Sequence, residues 1–263
     1  HRYIACAACG MARLDPFPLP ESLDGLYDAG YFQGGRGGGY EDYLGGTAMH
    51  RRNAQRRLGT LTAATTAPGV LIDVGCATGF LLAAACEAGW EVHGVDVRPW
   101  ARGRAAEHGF TVAPDLTDAR LPAKADAVTV LQTLSHVPDP AAVLRAVATR
   151  LRAGGTLIIE TWDRESMVAR LLGGGWQQAA PPAVLHLFTR KSLETMLHAA
   201  GFELVRWNTT LKWVSTGQVA SALRPKSKSL HHAVRWIGRV ARNEEMLLPY
   251  WGDDLVTLVA RRR

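Results

Sequence analysis

Asp73, Asp96 and Asp115 each close an apolar run, and the first of them leads straight into a glycine turn. The segment Val70-Leu71-Ile72-Asp73-Val74-Gly75-Cys76-Ala77-Thr78-Gly79-Phe80 reads as a buried strand, a tight turn and the start of a helix continued by Leu81, Leu82, Ala83, Ala84 and Ala85. That order sets backbone N–H groups beside a ligand at the mouth of a parallel sheet. Glycine in such a turn allows positive φ and lets a cofactor approach the backbone closely. The next acid, in Gly94-Val95-Asp96-Val97, lies 23 positions after Asp73, one strand-helix-strand unit on, where it can accept both hydroxyls of a ribose. Asp115-Leu116, after a third strand, could hydrogen-bond an adenine amino group and cover the ring. Any one of these aspartates could merely end a strand or cap a helix. Three of them at three successive strand ends point to a nucleotide-containing cofactor.

The obvious competitor is a dinucleotide. Its fingerprint is glycine-x-glycine-x-x-glycine, whereas this turn is Gly75-Cys76-Ala77-Thr78-Gly79, with the final glycine one residue early and no phosphate-cradling pattern left. A cofactor without a pyrophosphate needs no such cradle.

The elements that must hold these acids follow an alternating rhythm from Gly69 onward. Strands are predicted at 70–74, 91–95, 110–113, 125–131, 155–161, 202–213 and 255–260. Helices are predicted at 79–88, 99–107, 140–152 and 190–199, with a short one within 163–173. This is the pattern of an α/β fold, a doubly wound, seven-stranded and mostly parallel sheet, its last two strands forming an antiparallel hairpin that carries a basic insert at 217–246. Ahead of that domain, taken as 67–263, residues 1–20 read as a knuckle. Residues 21–66 read as a helical lid containing the flexible break Gly34-Gly35-Arg36-Gly37-Gly38-Gly39.

With those motifs in place, the chain resembles the class I S-adenosylmethionine-dependent methyltransferases, whose fold is Rossmann-like. Asp73 to Gly79 matches their first motif with Ala77 in place of the middle glycine. Asp96 matches the ribose-binding acid and Asp115 the adenine-side acid. The segment from Ala125 through Leu131, Gln132 and His136 to Pro140 looks like the fourth-strand motif, with Ser135 where an acid usually precedes the histidine, and Leu151 to Leu157 matches the turn before strand five. The N-terminal end is similar to a subgroup with a zinc ribbon, in the segments Leu26 to Phe32, Glu160 to Asp163, Trp176 and His186 to Thr189. The resemblance implies S-adenosylmethionine held by Asp73, Gly75, Ala77, Gly79, Asp96, Val97, Asp115, Leu116 and Leu131. It also implies transfer of its methyl group to a small-molecule acceptor, foremost a hydroxyl of a sugar-containing or secondary metabolite in natural-product biosynthesis, with carbon and nitrogen acceptors left open.

Methyl transfer to a hydroxyl needs alignment, exclusion of water and removal of a proton. His136, just after the fourth strand, titrates in the range of a general base, although a histidine there could equally hold the following loop. His186 and Asp163 are the further catalytic candidates; the bland alternatives are a packed structural histidine and a helix cap. Tyr27, Tyr31 and Phe32 could close over the cofactor, while Trp162 and Trp176 could line the acceptor cavity.

The remaining composition limits the partners. A chain of 263 residues, 47% hydrophobic, can bury a full core. No run reaches the roughly 18 apolar residues of a membrane span, and no signal peptide is visible, so a cytoplasmic location is expected. The net charge of +6 is concentrated in Arg51, Arg52, Arg56 and Arg57, in a second cluster from Arg224 to Arg242, and at Arg261 to Arg263. A solvated arginine-rich surface explains this better than a nucleic-acid arm, because neither cluster is interleaved with aromatics as a base-stacking platform would be. Cys6 and Cys9, spaced as Cys-x-x-Cys-Gly, could be half of a structural zinc site whose other ligands lie upstream, a metal-free remnant, or a disulfide. Leu247-Leu248-Pro249-Tyr250-Trp251 could form either a homodimer face or a pocket wall.

Overall fold

The computed structural model describes residues 1–19, 46–223 and 246–263. Tyr27, Tyr31, Phe32, the glycine-rich break and most of the 217–246 insert lie outside the described residues. The strands are β1 (Arg2–Ala5), β2 (Ala12–Asp15), β3 (Val70–Val74), β4 (Glu91–Val95), β5 (Val112–Ala113), β6 (Ala125–Leu131), β7 (Leu151–Trp162), β8 (His186–Leu187), β9 (Phe202–Thr209), β10 (Lys212–Ser215), β11 (Leu247–Tyr250) and β12 (Leu255–Arg262). The helices are α1 (Thr47–Ala64), α2 (Phe80–Glu87), α3 (Pro99–Glu107), α4 (Pro140–Arg150), α5 (Met167–Leu172), α6 (Arg190–Ala199) and α7 (Thr216–Leu223).

The main sheet has seven strands in the order β5-β4-β3-β6-β7-β12-β9. Its first five are parallel neighbours, and β12 inserts antiparallel between β7 and β9. Both faces are covered, which explains why the central strands are apolar without alternation. Ile72, Val128, Leu157, Ile159 and Leu258 face one side, against Leu144 and Val147 of α4 and Leu193 and Leu197 of α6. Their neighbours in sequence, Leu71, Ala127, Ile158 and Val259, face the other, against Leu61 and Ala64 of α1 and Ala85 of α2. The helix starts follow local chemistry. Asp139 accepts from Ala142 N at 2.8 Å with Pro140 in the first turn of α4, and Thr189 and Ser192 cap α6 reciprocally.

The predicted strand 202–213 is two strands. At Thr210 the chain makes its last tie to β12, Thr210 N donating to Leu255 O at 2.8 Å and its hydroxyl meeting that of Thr257 at 2.6 Å. Beyond it β10 leaves the sheet and pairs with β11, Lys212 opposite Tyr250. Leu247–Tyr250 is thus the partner of β10. The first residues do not stand apart either: β2 pairs with β8, giving a three-stranded sheet β1-β2-β8.

Arg56 and Arg57 correct the reading of their cluster as solvated surface. Glu160, near the C-terminal end of β7, is fully buried. Arg56 donates to its Oε2, and Arg57 donates from Nη2 to its Oε1 at 2.5 Å. Gln132 Nε2 adds a bond to Oε1 at 2.9 Å. Only Arg51 and Arg52 of that cluster remain exposed.

Burial alone would raise the pKa of Glu160, but the two guanidiniums and the bonds from Arg57 and Gln132 hold it at about 2. A depressed carboxylate contributes stability above its unfolded pKa of about 4.3 and loses it as pH falls toward the folded value. Urea unfolding is therefore expected to weaken steeply between about pH 4 and pH 2. Glu160→Gln should cost about 3 kcal/mol at neutral pH, because it strands two partly buried guanidiniums. An unchanged midpoint would show that α1 is held by other contacts.

Candidate active site

A cavity of about 380 Å3 opens at the C-terminal ends of β3, β4 and β6, beneath α1 and β10. Its floor is the predicted turn. Gly75 has φ +77, and a Cβ there would stand 2.1 Å from Thr133 Oγ1, so both conformation and space require glycine. Ala77 also adopts positive φ, at 49°, a costly conformation for alanine. That conformation aims Ala77 N at Asp96 Oδ2, 3.0 Å away, while Asp96 Oδ1 accepts from Arg98 N at 2.9 Å.

Asp73 and Asp96 are both buried and both line the cavity. Burial pushes Asp73 up to about 6, against a bond at 2.6 Å from the Thr129 hydroxyl, and burial likewise raises Asp96. Asp115 sits at the exposed rim, held below the usual carboxylate range by the Thr117 hydroxyl and then its backbone N–H. Val97, Leu116 and Leu131 complete this side of the wall. Gly79 is not part of it; with φ 89 it begins α2.

His136 closes a short 3-10 turn over Leu134–His136 and lines the cavity. Its Nδ1 lies 2.8 Å from Ala183 O. A carbonyl can only accept, so Nδ1 carries the proton and Nε2 keeps the lone pair. Burial lowers its pKa, which favours the neutral ring. The supporting segment is itself tied down. Leu185 N donates to Ser135 O at 2.8 Å, Leu14 N donates to Leu185 O at 2.9 Å, and Tyr3 OH donates to Val184 O at 2.7 Å.

The other catalytic candidates lie outside this cavity's wall. His186 is buried between the rings of Phe17 and Phe188, with Nε2 3.2 Å from Pro138 O. Asp163 accepts from Glu165 N at 2.8 Å in the turn after β7. Trp162 and Trp176 pack with Leu187 and Leu255 in a separate apolar cluster. Cys6 and Cys9 are free thiols in the β1–β2 turn. Among the described residues no group of three or more histidine, cysteine or acidic side chains could hold a metal. Cys6 and Cys9 thus provide two of the four ligands a structural zinc requires.

Several wall residues escaped the sequence reading: Asn53 and Arg57 from α1, Gln132 after β6, and Lys212 and Trp213 from β10. Asn53 Nδ2 donates to Trp213 O at 2.8 Å and Trp213 N donates back to Asn53 Oδ1 at 3.0 Å, fastening β10 to α1. A buried asparagine inside an arginine-rich helix was the available signal.

Comparison with known proteins agrees with this geometry. The family model described as a methyltransferase domain matches residues 48–206, more than half of the chain, and the protein belongs to that family. A ubiquinone biosynthesis O-methyltransferase of Xanthomonas campestris pv. campestris is 30% identical over 197 residues, covering 64% of this chain and 82% of the relative. Among solved structures, a SAM-dependent methyltransferase of Thermotoga maritima, described as a possible histamine N-methyltransferase, superposes with a TM-score of 0.54 at 17% identity, covering 85% of this chain and 95% of that one. Magnesium protoporphyrin IX methyltransferase of Synechocystis with bound SAH gives 0.51 at 19% identity, covering 82% and 84%. The protein is a class I S-adenosylmethionine-dependent methyltransferase. Its cavity fits that cofactor: two buried carboxylates suit a cationic ligand, and the Gly75 turn leaves the backbone open.

Because Asp73 is raised, its contribution to the stability of the empty protein is full below about pH 4 and lost as pH rises through about 6. A cationic ligand reverses that preference. Affinity for S-adenosylmethionine should therefore fall as pH drops from about 7 to about 5, with proton release on binding near pH 6 in calorimetry. Asp96→Ala should weaken the same binding at least about tenfold, by loss of a charged hydrogen-bond acceptor. A flat pH profile would remove Asp73 from the cofactor side.

Proposed function

We propose that the protein methylates a hydroxyl oxygen of a small-molecule acceptor, of the sugar-containing or secondary-metabolite class. The observation that carries this reading is His136. It stands in the cavity wall as a neutral imidazole whose tautomer is set by Ala183 O. The similarity to O-methyltransferases supports oxygen as the nucleophile. When bound, S-adenosylmethionine supplies an electrophilic sulfonium methyl. His136 Nε2 takes the proton of the acceptor hydroxyl as that oxygen becomes the nucleophile. The Asp73–Asp96 end of the cavity binds the donor, and the Gly75 turn positions it. Asp73, Gly75, Ala77, Asp96, Val97, Asp115, Leu116 and Leu131 are assigned to the cofactor on this reading.

The division into a knuckle at 1–20, a lid at 21–66 and a catalytic domain at 67–263 belongs to the same proposal. It is supported at one point by α1, whose Met49, His50, Asn53 and Arg57 lie in the cavity wall. Leu247–Tyr250 pairs with β10, whose Lys212 and Trp213 line the cavity, while Leu247–Tyr250 itself is not in that wall. No helix among the described residues is long and apolar enough to cross a membrane, in keeping with the proposed cytoplasmic site of action.

His136→Ala is expected to lower kcat about 10²- to 10⁴-fold while leaving donor affinity within about twofold. The assay is methyl incorporation into a panel of phenolic and glycosylated hydroxyl compounds, with the new methoxy carbon identified by NMR. Unchanged turnover in the variant would end the base assignment, and a methylated nitrogen or carbon would end the oxygen assignment.

A further inference from the structure

Of the three basic groups behind the cavity, one is hydrogen-bonded to no acid among the described residues. Arg56, Arg57 and Lys212 surround two carboxylates, Glu160 and Asp254. Both carboxylates are already engaged. Glu160 accepts from Arg56, Arg57 and Gln132, while Asp254 accepts from the Tyr250 hydroxyl at 2.7 Å and from Trp176 Nε1 at 2.8 Å. Lys212 is left over. Its ammonium sits 4.6 Å from the centroid of the Trp162 ring, and it has no hydrogen-bond acceptor among the described residues. The side chain lies in the cavity wall, next to Trp213.

An ammonium kept only to neutralise a buried carboxylate would be hydrogen-bonded to it, because desolvation is otherwise uncompensated. Here the attraction of Glu160 and Asp254 is offset by Arg57 and Arg56, and burial drives the lysine down to about 8. The group therefore stays mostly protonated at neutral pH, at a cost, on a side chain that belongs to the cavity wall. A negatively charged substituent on the ligand would supply the missing acceptor. The tryptophan face holds the ammonium by a cation–π contact without consuming a donor.

We infer that Lys212 is an anion-binding group for the acceptor, so that the compound methylated here carries a carboxylate in addition to the hydroxyl that receives the methyl group. This rests on the proposed transfer to a small-molecule hydroxyl and narrows its acceptor class.

The test is calorimetric binding of two matched pairs to the protein saturated with S-adenosylhomocysteine: para-hydroxybenzoate against para-hydroxybenzamide, and phenyl glucuronide against phenyl glucoside. In at least one pair the anion should bind about tenfold tighter or more, equivalent to about 1.4 kcal/mol. Lys212→Met should erase that preference to within about twofold, and Lys212→Arg should keep most of it. In the wild type the preference should shrink as pH rises from about 7 to about 10, whereas Lys212→Arg should hold it, since a guanidinium stays charged. Should Lys212→Met not fold, the pH profiles of the wild type and of Lys212→Arg decide the question.

Equal binding within both pairs, or a preference that survives in Lys212→Met, would overturn the inference. A role in stability alone would lower the melting temperature of Lys212→Met without changing selectivity. Methylation of neutral hydroxyl compounds with no anion preference would sink this inference and leave the proposed function standing. Anion preference without oxygen methylation of any compound would do the reverse.

Discussion

The fold accommodates a fully buried carboxylate near the C-terminal end of β7, and much of the site follows from how Glu160 is satisfied. A lone charge there would be untenable, so two guanidiniums and a carboxamide converge on it. Both arginines come from α1, which fixes the rotation of that helix over the sheet. Arg57 is thereby held at the cavity wall. Asn53, one turn earlier, comes into position to exchange hydrogen bonds with Trp213. Those bonds seat β10 after it has left the sheet at Thr210, and Lys212 precedes Trp213. The polar side of the cavity is thus a consequence of one buried acid.

The opposite side rests on strain and desolvation. Gly75 and Ala77 both take positive φ, and the alanine does so without the freedom of glycine. Its N–H bond to Asp96 helps to offset that cost. Burial raises both Asp73 and Asp96, and the charge of Asp96 raises Asp73 further. In the empty protein this is frustration. Toward a cationic ligand it is preorganisation, since charge–charge attraction strengthens where water is excluded. The two ends of the cavity therefore differ in sign, acidic under the turn and cationic under α1 and β10.

The acidic end was legible in the sequence and the cationic end was not. Strands 70–74, 91–95 and 125–131 and helices 99–107 and 190–199 coincide with their predicted bounds, because local apolar patterning and capping decide them. Asp73, Asp96 and Asp115 were found by the same local logic, each at a strand end. Arg57, Gln132 and Lys212 were missed because their roles come from contacts across long stretches of sequence, with Glu160 as the hidden partner. Arginines on a helix look solvated until the acid they face is known. Likewise 202–213 reads as one strand, and only the pairing of Lys212 with Tyr250 shows where the chain changes sheets.

The N-terminal hairpin finds its meaning in the same long-range terms. Its cysteine spacing invites a metal, yet its contacts lead to the catalytic wall. Tyr3 holds Val184 O, Leu14 holds Leu185 O, and β2 pairs with β8. The segment so fastened gives Ala183 O to His136 and takes Ser135 O through Leu185 N. Buried His186 backs the same loop at Pro138 O. A base is useful only if its lone pair is aimed and its tautomer set. On the proposed role of His136, its tautomer is set by a carbonyl 47 residues away in sequence. The hairpin is thus joined to the cavity wall through hydrogen-bonded backbone.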